Sequence, residues 1–105
     1  MKFKKVDESE RAAKKIEGHG DIEYCLWNDA QGEQYIQFID NQNSGTCSNL
    51  LFSVSKYEDK RFQHAALGEL KGYDVKTGKS ALAEDNNNGA FLKAVLRNLL
   101  PKKEE

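Results

Sequence analysis

With 105 residues, 38% of them hydrophobic and 31% charged, the chain is the size of one ordinary domain and can bury roughly two-thirds of the surface it would expose unfolded. Five Phe, four Tyr and one Trp supply enough apolar material for a core, which excludes wholesale disorder. The net charge is −1, but residues 1–20 carry six basic and four acidic side chains, 21–59 one and seven, and 60–105 nine and six; segment charges of +2, −6 and +3 speak against a general nucleic-acid or membrane-surface binder.

Residues 1–6 and 101–105 are expected to fray. Asp7 and Glu10 have the spacing of a capping box, and Gly18 is a suitable stop, so a helix is predicted over 8–17. Its apolar face holds only Ala12, Ala13 and Ile16, which makes it dependent on docking. After Gly18-His19-Gly20, the run DIEYCLWN alternates Ile22, Tyr24 and Leu26 against Glu23, Cys25 and Trp27, the period of a strand. The connection NDAQGE suits a three-residue hairpin loop, Ala30-Gln31-Gly32, with glycine at the left-handed third position. This turn sets Tyr24 opposite Phe38 and Leu26 opposite Ile36 on one face of the sheet. On the other face it sets Trp27 opposite Tyr35 and Cys25 opposite Gln37, and a one-residue slip would mix the two.

The loop DNQNSGT leads into a strand predicted over 48–57, where Leu50, Phe52 and Val54 alternate with Leu51, Ser53 and Ser55. From 58 to 83 both periods are present. Phe62, Ala65, Ala66 and Leu70 fit one helical face, but Gly68, Gly72 and the turn signal Lys76-Thr77-Gly78-Lys79 favour strands at 62–67, 70–76 and 79–83. EDNNNG is a loop, and Asn87 or Asn88 caps a helix predicted over 90–100 and stopped by Pro101. Phe91, Leu92, Val95, Leu96, Leu99 and Leu100 form its apolar stripe, with Lys93, Arg97 and Asn98 on the wet side.

The motifs that carry chemistry are few. Ser53-Val54-Ser55-Lys56 followed by Lys76-Thr77-Gly78 matches the SxxK and KTG elements of penicillin-binding proteins and β-lactamases in order. Those families need the serine at the start of a helix in a much larger scaffold, and here SVSK ends an alternating run with no SDN triplet, so the match is read as chance. A thiolate nucleophile would be Cys47 activated by His64 or His19, but no local signature brings them together. Cys25 and Cys47 lack CxxC spacing, so two thiols are the default and a 25–47 disulfide the lesser alternative. Two histidines 45 residues apart give no zinc spacing, and no metal or cofactor is expected. The loops starting at Asp40 and Glu84 place Leu51 and Val95 where a calcium loop needs its bidentate glutamate. Glu58-Asp59 and Glu84-Asp85 fall in predicted turns, and no phosphate loop, serine elbow or HExxH occurs. The absence of an apolar run of about 18 residues, or of a secretory h-region in MKFKKVDESERAAKK, points to a cytoplasmic chain with no membrane contact.

The expected fold is a single α+β domain over 1–105. It comprises an antiparallel meander sheet of four or five strands, a C-terminal helix packed on one face, and an N-terminal helix. If one sheet face meets the C-terminal helix, Trp27, Tyr35, Ile39, Leu51 and Tyr57 share the other, and aromatic-rich faces commonly mark interfaces. The expected function is therefore a small non-enzymatic binding or regulatory module acting through a protein partner or as a homodimer. The alternatives are a single-stranded nucleic-acid binder that stacks bases on the same rings, against which the acidic middle speaks, and a small cysteine-dependent enzyme using Cys47.

Overall fold

A computed structural model describes residues 2–6, 11–14, 21–41, 50–65, 67–83 and 87–101. The strands are β1 (Lys4–Lys5), β2 (Arg11–Lys14), β3 (Asp21–Asn28), β4 (Gln34–Asn41), β5 (Leu51–Ser53), β6 (Lys71–Tyr73) and β7 (Ser80–Leu82). The helices are α1 (Val54–Tyr57) and α2 (Asn87–Leu99). Among the described residues all the strands join one antiparallel sheet in the order β1-β3-β4-β5-β6-β7, with β2 paired to β3 off that path. From β3 onward the sheet is the expected meander and the class is α+β, but β1 and β2 on the outer edge of β3 carry the sheet beyond the four or five strands expected.

The β3–β4 hairpin carries the register that the turn dictates: Tyr24 faces Phe38, Cys25 faces Gln37, Leu26 faces Ile36 and Trp27 faces Tyr35. Its loop works as the residues require. Gly32 has φ 83°, its N–H donates to the Asp29 carbonyl at 3.1 Å, and the Asp29 carboxylate accepts the N–H groups of Gln31 (2.9 Å) and Glu33 (3.0 Å). Further along, Glu23 pairs with Asp40 while Tyr24 pairs with Phe38. Ile39 is thus the extra residue of a bulge, a kink that the alternation of apolar residues does not announce.

Several expectations are corrected. Residues Arg11–Lys14, expected inside a helix over 8–17, form β2 along the edge of β3. A helix with so narrow an apolar face gains little by itself, whereas pairing satisfies the backbone and covers the edge of β3. Lys4–Lys5, expected to fray, pair with Asn28 and Trp27 on that same edge. The strand predicted over 48–57 stops at Ser53, whose hydroxyl accepts the Lys56 N–H at 3.3 Å and so caps the single turn of α1. Within the predicted strand 62–67 the described residues 62–65 are turns and irregular backbone. The strands predicted near 70–76 and 79–83 are the shorter β6 and β7, and the C-terminal helix predicted over 90–100 is α2, which starts earlier: Asn87 and Asn88, expected to cap it from a loop, lie inside its first turn.

The core lies between α2 and one face of the sheet. Ile22, Tyr24, Leu26, Ile36, Phe38 and Phe52 from the sheet pack with Phe91, Leu92, Ala94, Val95 and Leu96 from α2, and Val54, Tyr57 and Leu70 close the same cluster. Phe38 sits at the centre, its ring 5.5 Å from Phe52 and 6.1 Å, edge-on, from Phe91. Two polar side chains on the expected wet side of α2 fasten it. Asn98 donates to the Tyr24 hydroxyl at 3.0 Å, and Arg97 donates from Nε to the Arg61 carbonyl at 2.6 Å. Arg61 in turn donates to the Leu100 carbonyl at 2.6 Å, so the 58–65 segment and the end of α2 are tied reciprocally. A radius of gyration of 13.0 Å is that of one domain of this length.

Candidate functional site

The face of the sheet turned away from α2 is built from two rows that the pairing lays across the strands. One runs Cys25, Gln37, Leu51, Tyr73, Ser80; the other runs Lys5, Trp27, Tyr35, Ser53. Residues directly opposite one another share a face, so these side chains stand together on the distal side.

Aromatic rings dominate it. Phe3 meets Tyr35 edge-on at 5.0 Å and Tyr73 at 6.0 Å, and Tyr35 meets Tyr73 at 5.9 Å with an interplanar angle of 88°. Tyr35 and Tyr73 lie on the two strands flanking β5, where the residue opposite Tyr35 is Ser53, a side chain small enough for the rings to meet over it. The Tyr35 hydroxyl donates to Asp29 Oδ2 at 2.9 Å. Burial, the hydrogen bond to Asp29 and the nearby charge push the Tyr35 phenol up to about 12. For Asp29 desolvation opposes ionisation, but hydrogen bonds from the Glu33 N–H, the Tyr35 hydroxyl and the Gln31 and Gly32 N–H groups outweigh it and hold the carboxyl below its ordinary value. Neither group is poised for proton transfer near neutrality. Together they lock the hairpin to the ring cluster.

A second polar knot lies beside it. Gln37 Oε1 accepts from Trp27 Nε1 at 3.0 Å and from the Cys25 thiol at 3.4 Å. This fixes the indole on the sheet while leaving Trp27 half-buried, and Cys25 is only 1% exposed.

The five residues expected to line this face divide. Trp27 and Ile39 are half-buried and Tyr35 is inside the ring cluster at 5% exposure, while Leu51 is fully buried. Tyr57 is on the other side altogether, in the α2 core, with its hydroxyl accepting the Lys71 N–H at 3.1 Å. The cause is α1. In a strand Val54 and Tyr57 point to opposite faces, but in a helical turn residues three apart share one, and both enter the core. Phe3 and Tyr73 are the additions. Phe3 lay in a segment expected to fray, and Tyr73 lay in a stretch whose strand register only the pairing with Leu51 fixes.

No family model matches the chain, and no curated protein and no solved structure matches it either.

The catalytic candidates come out as follows. Cys47 lies outside the described residues, as do His19 and the loops 42–49 and 84–86. His64 is exposed, between Gln63 and Ala65, whose carbonyls accept from Lys93 Nζ of α2 at 3.3 Å. It is therefore on the α2 side, across the sheet from Cys25. Glu58 and Asp59 form part of a 3₁₀ turn at 58–60, where Glu58 is half-buried and Asp59 exposed. Among the described residues no group of three His, Cys, Asp or Glu could hold a metal ion, and no helix is long and apolar enough to cross a membrane.

Ser53 does begin a helix, contrary to the reason first given for discounting SVSK. Its hydroxyl is nevertheless occupied with the cap and lies 3.1 Å from Ser55 Oγ, and Lys56 Nζ sits over the Tyr57 ring at 5.3 Å. The pairing Leu51 with Tyr73 runs β5 and β6 antiparallel, which puts the Lys76-Thr77-Gly78 turn beyond the opposite end of β5 from Ser53. The two halves of the motif are not brought together.

Proposed function

We propose that the chain is a small non-enzymatic binding module that works through contact with a protein partner. The observation that carries this reading is the distal sheet face, where half-buried Trp27, Phe3 and Tyr73 stand on a support of interlocked rings and hydrogen bonds. Large aromatic groups held in place lose little entropy when a partner covers them, which is why such residues dominate interface energetics. The edge-to-face packing of Phe3, Tyr35 and Tyr73 also favours a protein over a nucleic acid. Rings turned against one another present no flat series for bases, and the surrounding segment 21–59 carries seven acidic side chains against one basic. The cytoplasmic setting expected from the sequence belongs to the same reading.

Panning of a displayed peptide library on the folded full chain, with counter-selection on the Trp27→Ala variant, tests it. Enriched peptides should bind the wild type and lose at least about tenfold in affinity on Trp27→Ala and on Tyr73→Ala, the size of loss expected of interface anchors. A library that yields no binder, or binders indifferent to both substitutions, removes the support.

A further inference from the structure

We infer that the exposed edge of β7 is a self-association site, where a second copy of this chain pairs antiparallel about Ala81 and continues the sheet across a two-fold axis. This goes beyond the contact surface around Trp27, which lies on β3, with three strands between it and β7 along the sheet.

The path of paired strands ends at β7, and Ser80, Ala81 and Leu82 are all exposed. Leu82, at 54%, is the most exposed of the large hydrophobic residues described. The parity of the backbone is fixed by two bonds between direct partners: the Asp74 N–H donates to the Lys79 carbonyl, and the Ala83 N–H donates to the Leu70 carbonyl, both at 2.9 Å. With Gly72 opposite Ala81 in the same register, residues 79, 81 and 83 bond inward, so Ser80 and Leu82 aim their N–H and C=O groups away from β6. A strand edge of this kind, with no proline or charge in its three positions and no neighbour among the described residues, is a template for another strand.

The edge is complementary to itself. Centring an antiparallel pair on Ala81 sets Ser80 of one copy opposite Leu82 of the other, and each pair exchanges two backbone hydrogen bonds. Ala81 faces Ala81 at a non-hydrogen-bonded position, where small side chains let the strands close. Leu82 shares the distal face with Lys71, its partner in β6, and the two copies of Leu82 become diagonal neighbours, about 7–8 Å apart between backbones and within side-chain reach. In the sequence Lys79 precedes the strand and Glu84-Asp85 follow it, a charge order that favours an antiparallel over a parallel self-pair. A parallel pair would set like charges together.

Light scattering of the full chain over a concentration series, with a register trap, tests the inference. The wild type should pass from 11.9 kDa toward twice that mass as concentration rises. Leu82→Glu puts like charges on the diagonal yet gains an intramolecular partner in Lys71, so it should keep the wild-type circular dichroism and weaken the dimer at least about tenfold. Ala81→Cys should give a disulfide-linked dimer under mild oxidation, because Cα atoms at such a position lie about 4.5 Å apart, and Lys76→Cys should not. A wild type that stays monomeric to about 1 mM, where even weak pairing registers, overturns the inference. So does a dimer that survives Leu82→Glu untrapped by Ala81→Cys, and so does one lost on Trp27→Ala instead, which would move self-association to the distal face and leave β7 without a role.

Discussion

At the scale of single residues, close approach and hydrogen-bond supply decide what each position tolerates. A Cβ added at Gly72 would lie 2.6 Å from Leu50 Cβ, 3.1 Å from the Leu51 carbonyl oxygen and 3.2 Å from Phe52 Cε1. Two of those neighbours are backbone or the root of a side chain, so the strands must part. Gly72→Ala is expected to lower stability by about 1–3 kcal/mol, the range for overpacking, read as a lower urea midpoint. Gly89→Ala provides the contrast, because its nearest neighbour would be Leu67 Cβ at 3.7 Å, an ordinary contact. In α2 that change should stabilise by about 0.5–1 kcal/mol through reduced backbone entropy in the unfolded chain. Tyr35 makes a pH prediction. Its folded value of about 12 lies above the ordinary 10.0, so the stability it contributes is whole below pH 10 and is lost as pH rises toward 12. Tyrosinate absorbance during alkaline titration should contain a step near 12 that Tyr35→Phe deletes.

At the scale of elements, short pieces are held by what they dock on. Among the described residues 58–65 one 3₁₀ turn is the regular backbone after α1, yet Arg61 and Arg97 bind each other's side of the joint and both guanidinium groups lie over the Phe62 ring, at 4.9 and 5.4 Å. Arg97→Ala removes the Nε donor to the Arg61 carbonyl and one of the two cations on the ring. Chymotryptic cleavage after Phe62 in the folded protein should then quicken several-fold, since cleavage of a locally opened segment follows its opening equilibrium. A rate equal to wild type would mean that the segment is held elsewhere. This is also where the sequence was least legible. Ser53 reads as the last outward residue of an alternating strand, but serine is equally a helix cap, and only the docking of Val54 and Tyr57 into the core selects the second role. For β2, the local signals of a capping box and a glycine stop point to a helix, and the free edge of β3 overrides them.

At the scale of the whole molecule, α2 against one sheet face supplies the main hydrophobic stabilisation. Leu92 is fully buried, so Leu92→Ala should cost about 2–5 kcal/mol through lost burial and the cavity left behind. Leu82→Ala, at a side chain 54% exposed, should stay within about 0.5 kcal/mol of wild type in the same urea titration. Half of the distal face was legible in advance. Trp27 and Tyr35 follow from the hairpin register, and Leu51 from the alternation of its own strand. Phe3 and Tyr73 were not, because nothing local to either residue says which strand it will lie against.

What the sequence by itself determined is what short-range chemistry controls: a glycine at the left-handed position of a three-residue loop, an aspartate that accepts its N–H groups, and two alternating runs whose register that loop locks. The apolar stripe of α2 belongs with them, because a period of 3.6 is written into the residues themselves. Tertiary structure alone decided the rest. Whether Arg11–Lys14 coil or extend, whether Tyr57 faces the rings or the core, and which strand ends the sheet depend on partners distant in the chain, whose contacts outweigh local preferences that differ by less than about 1 kcal/mol per residue.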